Sequence, residues 1–297
     1  MTVGQVPETV RQLLGTAEEL RRAGDYRAGC ETARRAADLA RSAGDGAGQA
    51  EALRSLANQL LRIGRQEEAV TACRQAVAEL EALNDGAGLC RVLTLQAMPL
   101  RDLGMHEEAL EVLARARDIA QSLGNRDLLY WVHNRTGVVH GSMGDHELSN
   151  TYLSQALTMA TGMDDEARFC ILNNIGDNAT YEVPRLRQLG ATERAEEMLA
   201  NALIWVAEAL RLARVAGNPF RESLSLDNYG VLLALAGDLD GAAGRLEQSR
   251  VIAVDAGYWS LESSALQHQA RLRLLCGEHT AAVEGLLLAL DRARQAG

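Results

Sequence analysis

The sequence predicts an all-α solenoid of seven helix–turn–helix repeats, and three observations predict it. Glycines recur at Gly24, Gly64, Gly104, Gly144, Gly190, Gly237 and Gly277, with four of the six gaps equal to 40 residues and the two around Gly190 equal to 46 and 47. Self-similarity at such a period marks an array in which each unit packs only on its neighbours. Small residues also recur at three fixed distances from those glycines. Finally, the chain has only four prolines and is rich in Ala, Leu, Arg and Glu, all of which favour helix throughout.

The repeats run at about 8–44, 48–84, 88–124, 128–164, 167–217, 221–257 and 261–297, read as one continuous domain. Each has its glycine at the hairpin between two helices. Seven residues earlier, on the first helix, stand Ala17, Ala57, Ala97, Gly137, Gly230 and Ala270. Five residues later come Gly29, Ala69, Ala109, Ser149, Ala195, Ala242 and Ala282; twelve later come Ala36, Ala76, Ala116, Ala156, Ala202, Ser249 and Ala289. Small side chains at these places let antiparallel helices approach closely, and Leu53, Leu93, Leu113, Leu153, Leu226 and Leu246 fill the space between. The second helices close at Gly44, Asn84, Gly124, Gly257 and Gly297, residues that tolerate the left-handed conformation.

The fifth repeat breaks the spacing symmetrically. Its small residue is Gly176, 14 residues before Gly190, and its closing glycine is Gly217, 27 after. Both arms have gained seven residues, roughly 10 Å of helix each. A longer hairpin is the expectation, and Pro184 leaves open whether its first arm is one helix or two segments divided near Val183.

The pattern of a hairpin glycine with small residues seven before, five after and twelve after resembles the tetratricopeptide repeat, over essentially the whole chain. The departure is the period, 40 residues in place of 34. The resemblance implies a right-handed superhelix and a non-catalytic scaffold that binds a protein or peptide in its concave groove. Long-period arrays of this kind also resemble sensory segments of bacterial signalling proteins, placed before a diguanylate cyclase or a DNA-binding output domain. That alternative predicts further residues beyond 297.

In the family the first helix of each repeat lines the groove. Carried over residue by residue, the fifth position reads Leu14, Arg54, Thr94, Asn134, Asn173, Asp227 and Gln267, and the ninth reads Glu18, Asn58, Met98, Val138, Asp177, Val231 and Arg271. Trp131 occupies the second position of its repeat, and Tyr181 lies one turn past Asp177. The candidate groove residues are therefore Arg54, Asn58, Trp131, Asn134, Asn173, Asp177, Tyr181, Asp227 and Arg271. An asparagine amide both donates and accepts, so a row of them can hold the backbone of an extended peptide. Trp131 would supply an apolar anchor. The competing reading has the asparagines satisfying neighbouring helices and Trp131 in the core. Arg11, Arg54, Arg62, Arg91 and Arg101 make the first half of the groove basic, which suits an acidic peptide segment or a solvated charged face.

Other chemistries find little support. The net charge of −10 argues against general nucleic-acid binding, which needs a basic stripe. All 30 basic residues are arginine, so neither a Schiff-base lysine nor a P-loop lysine exists. His106-Glu107 and His146-Glu147 lack the second histidine of a zinc-peptidase helix, and no metal or cofactor is expected. No run of 18 apolar residues suggests a membrane span, and the opening stretch to Pro7 is short and polar. Five scattered cysteines with no CxxC pair read as reduced thiols, hence a cytoplasmic protein. The last helix, at 279–296, is apolar on more than one face, which makes it a candidate for self-association.

Overall fold

The computed structural model describes residues 8–296; the polar opening stretch and the closing role assigned to Gly297 lie outside them. Among these residues fourteen helices and no strand form. The first four pairs are α1 (Glu8–Ala23) with α2 (Tyr26–Ser42), α3 (Gly46–Arg62) with α4 (Gln66–Ala82), α5 (Gly86–Asp102) with α6 (His106–Ser122), and α7 (Arg126–Ser142) with α8 (His146–Met159). The remaining three are α9 (Asp165–Gln188) with α10 (Thr192–Val215), α11 (Pro219–Leu235) with α12 (Leu239–Ala256), and α13 (Trp259–Leu275) with α14 (His279–Ala296). The pairs gather into two units, one ending at Met159 and the other beginning at Ala160.

Helix starts follow from short polar caps. Asp25, Asp45, Asp85, Asp164, Asn218 and Asp238 each accept a hydrogen bond from the backbone N–H three residues on, satisfying a donor that the helix itself leaves unpaired. The hairpin turns need a left-handed residue, as at Gly64 with φ 79°. Asn84, with φ 53°, is the one described non-glycine residue with positive φ, and it closes α4 where the sequence pattern puts it.

The small positions carry the packing. Ala36, Ala76, Ala116, Ala156, Ala202 and Ser249 are fully buried, as are Ala109, Ala195, Ala242 and Ala282. Leu113, Leu153 and Leu246 fill between them at 1% exposure, each worth about 1.5–3 kcal/mol of apolar burial. Within each unit every first helix also touches the first helix of the next pair. The second helices meet through long side chains, such as Arg34 with Glu68 at 2.7 Å and Arg74 with Glu108 at 2.8 Å. First helices therefore line the inner side of each unit.

The fifth pair is lengthened as expected: α9 and α10 have 24 residues each, against 17 for α3, α5, α7, α11 and α13. The first arm is continuous: α9 runs through Pro184 as one helix. Proline removes only the bond to the Thr180 carbonyl, and the flanking Val183 and Leu186, at 0% and 2% exposure, hold the segment in the core. The fourth pair differs in the other direction. Its second helix stops at Met159 after 14 residues, and Gly162 takes the left-handed turn before α9.

Candidate functional site

The inner face of the second unit is built by α9, α11 and α13. Asn173 on α9 is 2% exposed. Its Oδ1 accepts from Ser225 Oγ at 3.0 Å and its carbonyl accepts from Asn228 Nδ2 at 3.5 Å, both on α11. Asp227, also on α11 and 4% exposed, repeats the arrangement toward α13: Ser264 Oγ donates to it at 2.7 Å, and His268 Nδ1 lies 3.0 Å from both carboxylate oxygens. These bonds tie successive inner helices together and satisfy polar groups that burial would otherwise penalise.

Asp177, Tyr181 and Arg271 lie open on the same unit, Tyr181 being 52% exposed. Partial burial raises the Tyr181 phenol above its usual ionisation range; the charges of Asp177 and Asp227 add to that rise and Arg271 opposes it. The structure thus gathers four of the sequence-derived candidates, Asp177, Tyr181, Asp227 and Arg271, into one electrostatic neighbourhood. One open carboxylate, a phenol and a guanidinium above the buried Asp227 can hold a polar, extended ligand. Among the described residues no three His, Cys, Asp or Glu side chains gather as a metal site would require.

The first unit's candidates sit on α3 and α7. Arg54 is half-buried and its guanidinium is held by Glu51, with Nε 2.9 Å from Oε2; that hydrogen bond is the main cause of its raised pKa. Arg101 is likewise paired with Asp102, with Nε 2.7 Å from Oδ1, so two of the five arginines that made this half look basic already carry a counter-charge. Asn58 is half-buried on α3. Trp131 is half-buried on α7, with the Tyr130 ring edge-on at 5.0 Å and the Arg135 guanidinium 5.5 Å over its face. Asn134, one turn further, is fully buried and so does not reach the open face in this conformation.

Sequence reasoning did not single out Ser264 and His268 as partners of Asp227. A signal was present: they lie 37 and 41 residues after it, close to one repeat period, which places them beside it on the next first helix. Ser223 and Ser249 form a second buried pair that went unnoticed, with their hydroxyls 3.0 Å apart and Ser249 also donating to the Ser223 carbonyl at 2.9 Å.

Comparison with known proteins finds one matching segment and a shared fold. Residues 89–162, spanning α5 to α8, match the model described as tetratricopeptide repeat. A Rap protein solved in complex with Competence and Sporulation Factor shares the fold at a TM-score of 0.75 and 13% identity, over 99% of this chain and 77% of that one. The Rap conjugation gene regulator of plasmid pLS20, solved with a Phr peptide, gives 0.75 and 14% over 96% and 73%. The apo form of RapI gives 0.63 and 12% over 96% and 97%. At such identities the likeness is one of fold. No curated protein sequence matches the chain.

Proposed function

We propose that this chain, a tetratricopeptide repeat protein, is a non-catalytic scaffold whose inner first helices hold an extended peptide or a protein segment. The observation that carries the reading is the second unit's inner face, where a fixed polar row (Asn173, Ser225, Asp227, Ser264, His268) underlies the open side chains of Asp177, Tyr181 and Arg271. A rigid floor with exposed polar and aromatic groups is what peptide capture needs, because little ordering remains to be done on binding. Two of the solved Rap proteins that share the fold contain a bound factor or peptide, which supports the same use of it here.

In this reading Asn173 and Asp227 position the floor, while Asp177, Tyr181 and Arg271 touch the ligand. Arg54, Asn58 and Trp131 form the corresponding set on the first unit, where the buried Asn134 positions the floor, and the seven repeats are taken as one domain. The five cysteines are free thiols, consistent with work in the reducing cytoplasm. No helix among the described residues is long and apolar enough to cross a membrane.

The test is selection of a displayed random heptapeptide library on the purified full chain, followed by calorimetric titration of the enriched peptide. A Tyr181→Ala/Arg271→Ala double variant is expected to weaken that peptide at least tenfold, with helicity unchanged. Failure to enrich any sequence, or unchanged affinity in the Tyr181→Ala/Arg271→Ala variant, would remove the reading.

A further inference from the structure

The fourth repeat departs from the array at two positions of its first helix. Eleven residues before the hairpin glycine stand Leu13, Leu53, Leu93, Leu226 and Leu266, where the fourth repeat has His133. Four before it stand Leu20, Leu60, Leu100, Leu186 and Leu233, where the fourth repeat has His140. Leu53, Leu93, Leu60 and Leu100 are buried, whereas the two histidines are half-buried. Between them lies Tyr152 of α8, its ring centre 5.8 Å from that of His133 and 5.5 Å from that of His140, the latter pair with 4° between the planes. The α7–α8 contact is thus a stack of three polar rings beside the Gly137–Leu153 approach, in place of leucine packing. Less apolar burial holds this pair, because α8 has 14 residues against 17 in α4 and α6.

Nδ1 of each histidine is buried and, among the described residues, has no hydrogen-bond partner. A neutral imidazole tolerates this by carrying its proton on Nε2; a second proton makes Nδ1 a buried donor with nothing to accept it. The charges around the two rings differ. His140 has Asp145 of the α7–α8 turn, whose Oδ2 lies 3.8 Å from its Nδ1. His133 has Arg117 of α6, which opposes a further positive charge, and the nearby Asp118 is bound to Arg117 itself at 3.0 Å. The other acids of α6 bring no relief: Glu108 is paired with Arg74 of α4, and Glu107 and Glu111 are exposed. On α5, Asp102 is paired with Arg101, Arg91 is exposed, and the Cys90 thiol donates to the Ala116 carbonyl. On α8, His146 and Glu147 stand in the first turn, at the His140 end of the pair. The face of Tyr152 favours a charged ring by about 0.5–1 kcal/mol. Burial and Arg117 outweigh it and hold His133 below its usual 6.5.

We propose that His133 is an acid-sensitive latch of the first unit, whose protonation unseats the Tyr152 stack and loosens α7 against α8. The sign follows from linkage. The open pair takes up the proton more readily than the closed pair, so the closed pair is fully favoured above 6.5 and loses ground as the pH falls below that value. The latch lies between α6, α7 and α8 and works whether or not a ligand occupies the inner face.

Hydrogen-exchange mass spectrometry of the full chain at about pH 7.5 and about pH 5.5, with rates corrected for intrinsic exchange, tests this. Protection of peptides from α7 and α8 is expected to fall about three- to tenfold at the lower pH, while peptides from α3 and α4 keep theirs. His133→Leu restores the residue of the other repeats and is expected to remove the acid response. His133→Gln, polar but unable to gain a charge, is expected to remove it as well, which keeps the test intact if leucine repacks the pair. The response is expected to survive His140→Leu. Equal protection at the two pH values, a response that persists in either folded His133 variant, its loss in His140→Leu, or an equal fall in α3 and α4 would each overturn the proposal.

Discussion

Gly176 on α9 faces Val206 on α10 so closely that a β-carbon built on the glycine falls 2.0 Å from Val206 Cγ2. Gly137 against Leu153 and Gly230 against Leu246 repeat the relationship at 2.7 Å, but seven residues nearer to the hairpin glycine on each arm. The seven extra residues of each long helix therefore lie on the Gly190 side of this contact, and the hairpin end projects past that of α11 and α12 by roughly 10 Å. Arg187 spans the step by donating to the Leu235 carbonyl at 2.9 Å, one of the acceptors that the end of α11 leaves unpaired.

That contact makes Gly176→Ala a sensitive substitution. Alanine gains about 1 kcal/mol of helix propensity at an interior glycine, yet overpacking a closed interface costs about 1–3 kcal/mol and should win. Urea unfolding followed by circular dichroism should show a net loss, and Val206→Ala in the same chain should recover most of it. A Gly176→Ala chain at least as stable as the parent would mean that the two helices can move apart freely.

Glu262 on α13 is 3% exposed and its Oε1 accepts from Arg292 Nε on α14 at 2.9 Å, while the same guanidinium lies 5.5 Å over the Trp259 ring. Removing the arginine strands a carboxylate in the interior of the last pair. Arg292→Ala is expected to cost about 2–4 kcal/mol, a little under the usual range for a fully buried pair because Arg292 keeps a quarter of its surface in water. Glu262→Gln/Arg292→Met, which removes both charges, should lie within about 1 kcal/mol of the parent. Equal losses in the single and double variants, read from the same unfolding curves, would show that packing rather than charge holds α14 in place.

Much of the fold was legible because it depends on local spacing. A small residue beside a hairpin glycine has the same neighbours in every repeat, so Ala36, Ala76 and Ala116 announce their burial by recurrence alone. The 24-residue arms of the fifth pair follow by counting. Two local features depend on context that spacing does not carry. The fourth repeat has no glycine 20 residues after Gly144, and α8 ends early at Met159. Pro184 stays helical because Val183 and Leu186 are clamped on both sides. The site was less legible. Helical position says that Asn173 and Asp227 point inward, but not that the next first helix comes close enough to bury them. That depends on the tilt between repeats, which no single repeat encodes.

The burial of Asp227 leads to a prediction separating positioning from contact. Asp227→Ala leaves Ser264 and His268 without their shared acceptor and should destabilise the chain by about 1–3 kcal/mol. Asp177→Ala, at an exposed position, should change stability by less than about 0.5 kcal/mol. If the open residues touch ligand as proposed, Asp177→Ala weakens peptide binding without altering the melting curve. Asp227→Ala alters the curve, and Asp227→Asn, which keeps one acceptor, moves it less. A chain in which Asp227→Ala melts like the parent would show that the bonds to Ser264 and His268 contribute nothing net.

The buried thiols supply a pH-dependent test of the first unit's core. Burial pushes Cys73 up to about 12 and Cys30 up to about 11, against an ordinary value of 9.0. The thiolate is the reactive form, so at pH 8 Cys73 in the folded chain offers roughly one thiolate in ten thousand, against about one in ten for an ordinary thiol. Ellman's reagent at pH 8 should therefore label the exposed Cys276 first and leave Cys30 and Cys73 unmodified until denaturant is added. The stability consequence has a definite sign. A thiol whose folded pKa is raised keeps its proton longer in the folded state, so its contribution is complete below 9.0 and declines as pH rises from there toward about 12. Cys73→Ala should flatten the fall of stability with pH in that window while costing little at pH 7. An unchanged slope in that variant, or rapid labelling of Cys73 in the native chain, would mean that water enters the α3–α4 interface.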